Sequence, residues 1–223
     1  MAEKTFLLVC EGETDIYIFE ALAKHLSNDE IVVTVISLAP QLDATSGTYP
    51  SHSFGHVLNW CADNRSRIQM LLDFKGANAL FLQMDTDIAG QANPDCIGQG
   101  LSPRHCCQEK LNQKLSATEE PPRCHYILPT QNTETWVLAS HDGPALDENS
   151  IAISDYELIT DTEQRLIALK YKGKKGVSNT APRKLKKTPA SMYKKHGEQL
   201  TGNLMLARQR CNELDRLCIL LES

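Results

Sequence analysis

The sequence predicts an α/β fold: a mostly parallel four-stranded sheet flanked by helices, with a C-terminal helical extension. Three observations predict it. Short apolar or β-branched runs recur at residues 5–10, 31–36, 79–84 and 124–128. Each is followed by a stretch of helical character, and such alternation suits parallel strands joined by crossover helices. Beyond residue 150 the readable elements are helices. The boundaries that follow are a core over 1–150 and a helical extension over 151–223.

The elements follow in order. Phe6, Leu7, Leu8, Val9 and Cys10 form a buried strand bounded by Gly12. Thr14 is suited to cap the next helix, whose apolar face is Ile16, Phe19, Ala23 and Leu26. Residues 31–36 are β-branched and read as the second strand. The Pro, Gly, Ser and Thr of 40–53 make a loop. Val57, Leu58, Cys61, Ile68, Leu71 and Leu72 place one helix up to Phe74, ended by Gly76. The third strand covers 79–84, and 88–101 reads as a loop. Ser102 and Pro103 start a helix running to Leu115, Ser102 as cap and Pro103 at its first position. The fourth strand covers 124–128, and a short helix carrying Trp136, Val137 and Leu138 follows Thr133. Residues 155–170 read as helical. Thr188 and Pro189 start a helix that Gly197 stops, and one amphipathic helix covers 203–221.

The N-terminal apolar run is too short for a signal peptide, and no stretch approaches the roughly 20 apolar residues of a membrane span. The expectation is a cytoplasmic protein with no membrane partner. Its eight cysteines are then expected as thiols and not as disulfides. Cys96, His105, Cys106, Cys107, Cys124 and His125 are soft ligands, but their spacing matches no zinc-finger pattern. There is no Walker motif, dinucleotide-binding glycine pattern or Ser-His-Asp set.

Charge is segregated. The net charge of −5 argues, taken whole, against a nucleic-acid partner. Residues 1–169, however, hold ten basic and 24 acidic side chains, whereas 170–195 hold ten Lys and Arg with no Asp or Glu. Within the acidic body, Glu11 follows the first strand, Asp15 lies in the first turn of the next helix, and Asp85 and Asp87 follow the third strand. Parallel strand ends converge on one edge, where ligands bind. Asp85 and Asp87, two apart, point the same way if the chain there is extended. Clustered carboxylates repel one another unless a cation sits between them, and a hard divalent ion with oxygen ligands, Mg²⁺ or Mn²⁺, meets that need. Glu134 follows the fourth strand closely enough to reach the same edge; its bland role is a carboxylate in a first helical turn, favoured there by the helix dipole. In the basic segment, Lys172, Lys174, Lys175, Arg183, Lys184, Lys186 and Lys187 are the candidates for phosphate contact, set in a Gly- and Ser-rich stretch that reads as a loop.

Two segments carry a resemblance: Val9-Cys10-Glu11-Gly12-Glu13-Thr14-Asp15 before an apolar helix, and Phe81-Leu82-Gln83-Met84-Asp85-Thr86-Asp87. Together they resemble the TOPRIM domain of topoisomerases, primases and overcoming-lysogenization-defect nucleases. Tyr126-Ile127-Leu128-Pro129, Thr133-Glu134-Thr135-Trp136-Val137-Leu138-Ala139 and Tyr193-Lys194-Lys195-His196-Gly197 look like segments of small bacterial TOPRIM-like proteins. The resemblance spans most of residues 5–221. It implies a Rossmann-like core, acid/base or metal-binding duty for Glu11, Mg²⁺ binding by Asp85 and Asp87, and a nuclease cutting DNA or RNA, tRNA included. It also implies phage defence, an ABC- or AAA-type ATPase partner and the option of a homo-oligomer. Cys10 before the Glu and the long 88–122 stretch depart from the family pattern. The competing expectation is a non-catalytic module that uses the same fold to bind an ATPase or nucleic acid.

Overall fold

The computed structural model describes residues 1–50, 52–174, 184–187, 189 and 192–223. The chain is α/β, with a four-stranded, all-parallel sheet in the order β2-β1-β3-β4. The strands are β1 (Ala2–Val9), β2 (Ile31–Ala39), β3 (Ala79–Gln83) and β4 (Cys124–Ile127). Helix α1 (Glu13–Leu26) joins β1 to β2, and α2 (Phe54–Asn64) and α3 (Ile68–Lys75) join β2 to β3. Three helices lie between β3 and β4: α4 (Ala89–Ala92), α5 (Pro94–Gly98) and α6 (Pro103–Leu115). After β4 come α7 (Glu134–Ala139), α8 (Thr162–Ala168), a two-stranded antiparallel ribbon of β5 (Gly173–Lys174) and β6 (Lys184–Leu185), and then α9 (Met192–Gly202), α10 (Leu204–Arg210) and α11 (Asn212–Glu222).

The sheet is covered on both faces, which is why its central strands are continuous apolar runs and not alternating ones. Successive residues of β1 and β3 feed two separate cores. Phe6, Leu8, Ala79 and Phe81 pack with α1, α7 and the C-terminal helices. Leu7, Val9, Leu80 and Leu82 pack with α2, α3 and α6. Phe81 is fully buried, stacked on Phe6 with ring centroids 5.0 Å apart. Truncating such an aromatic costs about 3–5 kcal/mol. The open edge of β4 is shielded by side chains. Glu213 accepts from the Leu128 amide at 2.8 Å, Glu120 accepts from the Tyr126 amide at 3.1 Å, and Arg216 donates to the Tyr126 carbonyl. Glu213, almost fully buried, is flanked by Arg104 and Arg216.

Several local expectations change. Gly12, and not Thr14, is the N-cap of α1. The single helix expected up to Phe74 breaks at the polar stretch 65–67, and Gly76 ends its second half in the left-handed conformation (φ 59°). The expected loop 88–101 contains α4 and α5, tied to α6 by a Cys96–Cys106 disulfide. The disulfide overturns the expectation of reduced thiols at these two positions and removes both from any zinc set; Cys107 and Cys124 are buried in the core. Residues 155–170 divide into a 3₁₀ turn, Tyr156–Leu158, and α8. Gly197 does not stop its helix; α9 continues to Gly202. The closing helix breaks at the extended, buried Cys211 (φ −134°, ψ 107°), giving α10 and α11. Thr188 lies outside the described residues. Among the described residues no helix is long and apolar enough to cross a membrane.

Candidate functional site: a carboxylate cluster around a lysine

β1 and β3 are neighbours, with Val9 opposite Leu82, so the chain leaves both strands side by side. This brings Glu11 and Asp85 together: the Asp85 amide donates to Glu11 Oε1 at 2.8 Å. Gln83, the fully buried last residue of β3, clips the pair. Its Oε1 accepts from the Glu11 amide at 3.2 Å and its Nε2 donates to Asp85 Oδ1 at 2.8 Å. Asp15, in the first turn of α1, accepts from Thr133 Oγ1 at 2.9 Å. Glu134, the first residue of α7, accepts from the Tyr193 hydroxyl and pairs with Lys187 Nζ at 2.8 Å. Asp87 is not extended beside Asp85, because the chain turns there into a 3₁₀ helix, Thr86–Ile88. The turn is held by the Thr86 amide to Pro129 and the Asp87 amide to Gln131. Asp87 stays exposed at the rim of the cluster, close enough to act on Glu11.

The cluster is under-neutralised. Burial pushes the Glu11 carboxyl up to about 8; the Asp15 and Asp87 charges add to this, while the Asp85 amide and Lys187 oppose it. Burial and Glu134 push Asp15 up to about 6 against the pull of Lys187 and Thr133. Asp85 is raised well above the carboxylate range by burial, Asp15, Glu11 and Glu134, and Asp87 is raised chiefly by burial. Glu134 goes the other way: burial would raise it, but the Lys187 charge and the hydrogen bonds from Lys187 and Tyr193 bring it below its ordinary value. Lys187 is itself held charged, since Glu134, Asp85 and Asp15 together outweigh its burial. One ammonium thus serves several carboxylates.

A cavity of about 450 Å³ is lined by Glu11, Asp15, Asp85 and Lys187 together with Tyr49 and His52. A methyl group on Gly12 would lie 3.9 Å from Asp15 Oδ2, an ordinary contact that nonetheless occupies this space. His52 Nδ1 lies 2.8 Å from the Cys10 carbonyl, an acceptor only, so Nδ1 carries the proton. Burial lowers its pKa, so the neutral ring keeps Nε2 free to accept a proton. The donors facing the cavity are hard oxygens with excess negative charge, and buried Glu134 Oε2 has no hydrogen-bond partner. In donor type and charge they fit Mg²⁺ or Mn²⁺. Among the described residues no three His, Cys, Asp or Glu side chains are arranged to hold an ion as they stand.

The structure therefore gathers Glu11, Asp15, Asp85 and Glu134, with Asp87 at the rim. It moves Lys187 from the phosphate-contact set into the carboxylate cluster. Lys174 and Lys184 face each other across the β5–β6 ribbon, Lys186 donates its amide to the Lys172 carbonyl at 2.8 Å, and all four side chains are exposed. Lys175 and Arg183 lie outside the described residues. Sequence reasoning missed Gln83, Thr133, Tyr193 and His52 as members of the site. The one available signal was Gln83, a polar residue inside an apolar run. Comparison with protein-family models, curated proteins and solved structures gave no significant match.

Proposed function

We propose that the chain is a divalent-metal-dependent nuclease that hydrolyses phosphodiester bonds of DNA or RNA. The observation that carries this reading is the convergence of Glu11, Asp15, Asp85 and Glu134 at the carboxyl ends of adjacent parallel strands, with more negative charge than Lys187 offsets. The TOPRIM resemblance of the same residues supports it. Glu11, Asp15, Asp85, Asp87 and Glu134 would hold Mg²⁺ or Mn²⁺. When bound, such an ion supplies Lewis-acid stabilisation of the phosphodiester oxygens and an activated water. Gln83 fixes the separation of Glu11 and Asp85, and Thr133 fixes Asp15. His52, with Nε2 free, is placed to exchange a proton beside the cavity, and Glu11 can share that duty only where it does not hold the ion. Lys172, Lys174, Lys184 and Lys186 supply the sequence-independent attraction to the phosphate backbone that a carboxylate site lacks.

The test is incubation of the purified chain with plasmid, single-stranded DNA and tRNA, with and without Mg²⁺ or Mn²⁺, beside Asp85→Asn. Ion-dependent cleavage lost in Asp85→Asn is the expected result. Equal behaviour of the two proteins on every substrate sinks the reading, as does a calorimetric titration showing no divalent-ion binding. One observation favours a second reading, a non-catalytic module that binds an ATPase partner or nucleic acid. Lys187 already sits against Glu134, as the cation of a structural ion pair would.

A further inference from the structure

A second cavity, of about 500 Å³, lies between the end of α8 and one face of α9. That volume is in the range of small-molecule sites. Three of its wall residues are Lys170, Lys172 and Lys195, and among the described residues no Asp or Glu lines it. None of these three ammonium groups pairs with a carboxylate among the described residues. Three uncompensated cations around one concavity are a site for an anion, and phosphate is the anion that lysines bind as point charges.

Other features ask for more than an anion. Tyr171 is half-buried in the wall and held by His141 Nε2 at 2.9 Å from its hydroxyl. Its ring lies 4.8 Å from that of His196, too close for a third ring to enter between them, so a planar ligand must lie on the outer side of Tyr171. His196, Met192 and Gln199 share the helix face with Lys195, at the spacing that aligns side chains on α9. His196 is 5% exposed and its Nδ1 is buried without a hydrogen-bond partner. The Gln199 amide is held loosely, by bonds of 3.4 and 3.5 Å to Ser140. An aromatic platform and an amide match the face and edge of a nucleobase.

Lys170 also holds an uncommon backbone conformation, one shared by Ser116 at the end of α6. Lys170 ends α8 with φ 72°, while the Lys170 and Tyr171 amides bond back to Ile167 and Leu166. This is the left-handed closing position that helices usually fill with glycine, and a lysine adopts it at a cost.

We propose that this cavity binds a phosphorylated nucleoside, either a free mononucleotide or one nucleotide of a strand. Lys170, Lys172 and Lys195 hold the phosphate, and the base lies on the outer side of Tyr171 within reach of Gln199. The proposal does not rest on the nuclease reading, and its test excludes metal chemistry. Adenosine and guanosine 5′-monophosphates, adenosine, inorganic phosphate and a short single-stranded oligonucleotide are titrated into the full chain in EDTA, with binding followed by calorimetry. The double variant Lys170→Gly/Lys195→Ala removes two charges, and its first change relieves the backbone. Thermal denaturation confirms that it folds.

The expected result is nucleotide binding tighter than that of adenosine or phosphate, weakened roughly tenfold or more in the double variant. It should be unchanged in Asp85→Asn. Mononucleotide binding assigns the cavity to a free ligand; oligonucleotide binding alone, lost in the double variant, assigns it to a strand. No binding by any nucleotide probe overturns the proposal, as does phosphate binding as tightly as the nucleotides. So does binding lost in Asp85→Asn but kept in the double variant, which would place the ligand at the carboxylate cluster.

Discussion

Glu11 shows at the scale of one residue what the site lacks. Its carboxyl is buried beside other carboxylates and stands at about 8 against an ordinary 4.5. A carboxylate raised on folding contributes stability that is whole below its unfolded value and lost as pH rises through its folded value. Asp15, at about 6, has the same sign. Glu134 has the opposite sign, but its contribution is lost only at pH below its unfolded value of 4.5. His52, His141 and His196, lowered chiefly by burial, contribute stability that grows only up to their unfolded value of 6.5. Between about pH 7 and 8.5 Glu11 acts together with Asp85, which is also raised by burial and by its neighbouring carboxylates, and the melting temperature in EDTA is expected to fall by about 3 °C or more. Glu11→Gln should reduce that fall, and saturating Mg²⁺ should flatten it, since a bound cation keeps the carboxylates ionised. Differential scanning calorimetry across this window checks it; a flat wild-type profile would show that Glu11 is not buried among like charges. Glu11, Asp85 and Glu134 were legible in the sequence because strand ends on one edge of a parallel sheet must converge. Gln83, Thr133 and Tyr193 were not, because the partners that draw them into the site, Glu11, Asp15 and Glu134, lie more than 50 residues away in sequence. Lys187 read as one of a run of surface lysines, since nothing in a charge run says which member turns inward.

Helix α9 is where element-scale packing overrode a local signal. Glycine is a poor helix former and reads as a stop, yet α9 runs through Gly197 because α1 lies against it. A methyl group there would sit 2.6 Å from Ala21 Cβ and 3.3 Å from the Tyr17 carbonyl. The glycine is a point of close helix approach, so Gly197→Val should destabilise by about 2 kcal/mol or more despite its better backbone propensity. Urea denaturation should show this as a lower midpoint; an unchanged midpoint would mean the two helices are not in contact there. The α4–α6 region shows the converse, a feature with no local signal. Cys96 and Cys106 are ten residues apart, a separation that fits a thiol pair or a metal set equally well. Closing so short a loop stabilises by roughly 2–3 kcal/mol in the chain-entropy account. Cys96→Ser/Cys106→Ser, or reduction of the wild type, is expected to lower the melting temperature by about 5–10 °C. The reduced wild type and the double variant should then melt together, and a reductant without effect would mean the bridge does not form.

At the scale of the whole molecule, opposite charges are segregated within one polypeptide. The acidic body balances at −14 and the segment 170–195 at +10. The fold sets the two against each other without letting them cancel. Among the described residues Lys187 alone enters the carboxylate cluster, and the side chains of Lys172, Lys174, Lys184 and Lys186 stay exposed on and beside the β5–β6 ribbon. If that ribbon holds a phosphate backbone, binding must be driven largely by counterion release and must weaken linearly in log[salt]. Replacing Lys172, Lys174, Lys184 and Lys186 together by Ala should then reduce affinity alike for all sequences. The slope should fall by about 0.7 per lost contact on single strands and about 0.9 on duplex. Lys187 is left in place, because removing it would strand Glu134 as a buried, unpaired charge and confuse binding with folding. Fluorescence anisotropy at several KCl concentrations, in EDTA so that nothing is cut, measures both affinity and slope. A fourfold variant with the wild-type slope would place the nucleic acid elsewhere and leave the ribbon as a solvated surface. A slope that falls while Asp85→Asn keeps it at the wild-type value would separate the binding surface from the carboxylate cluster within one chain.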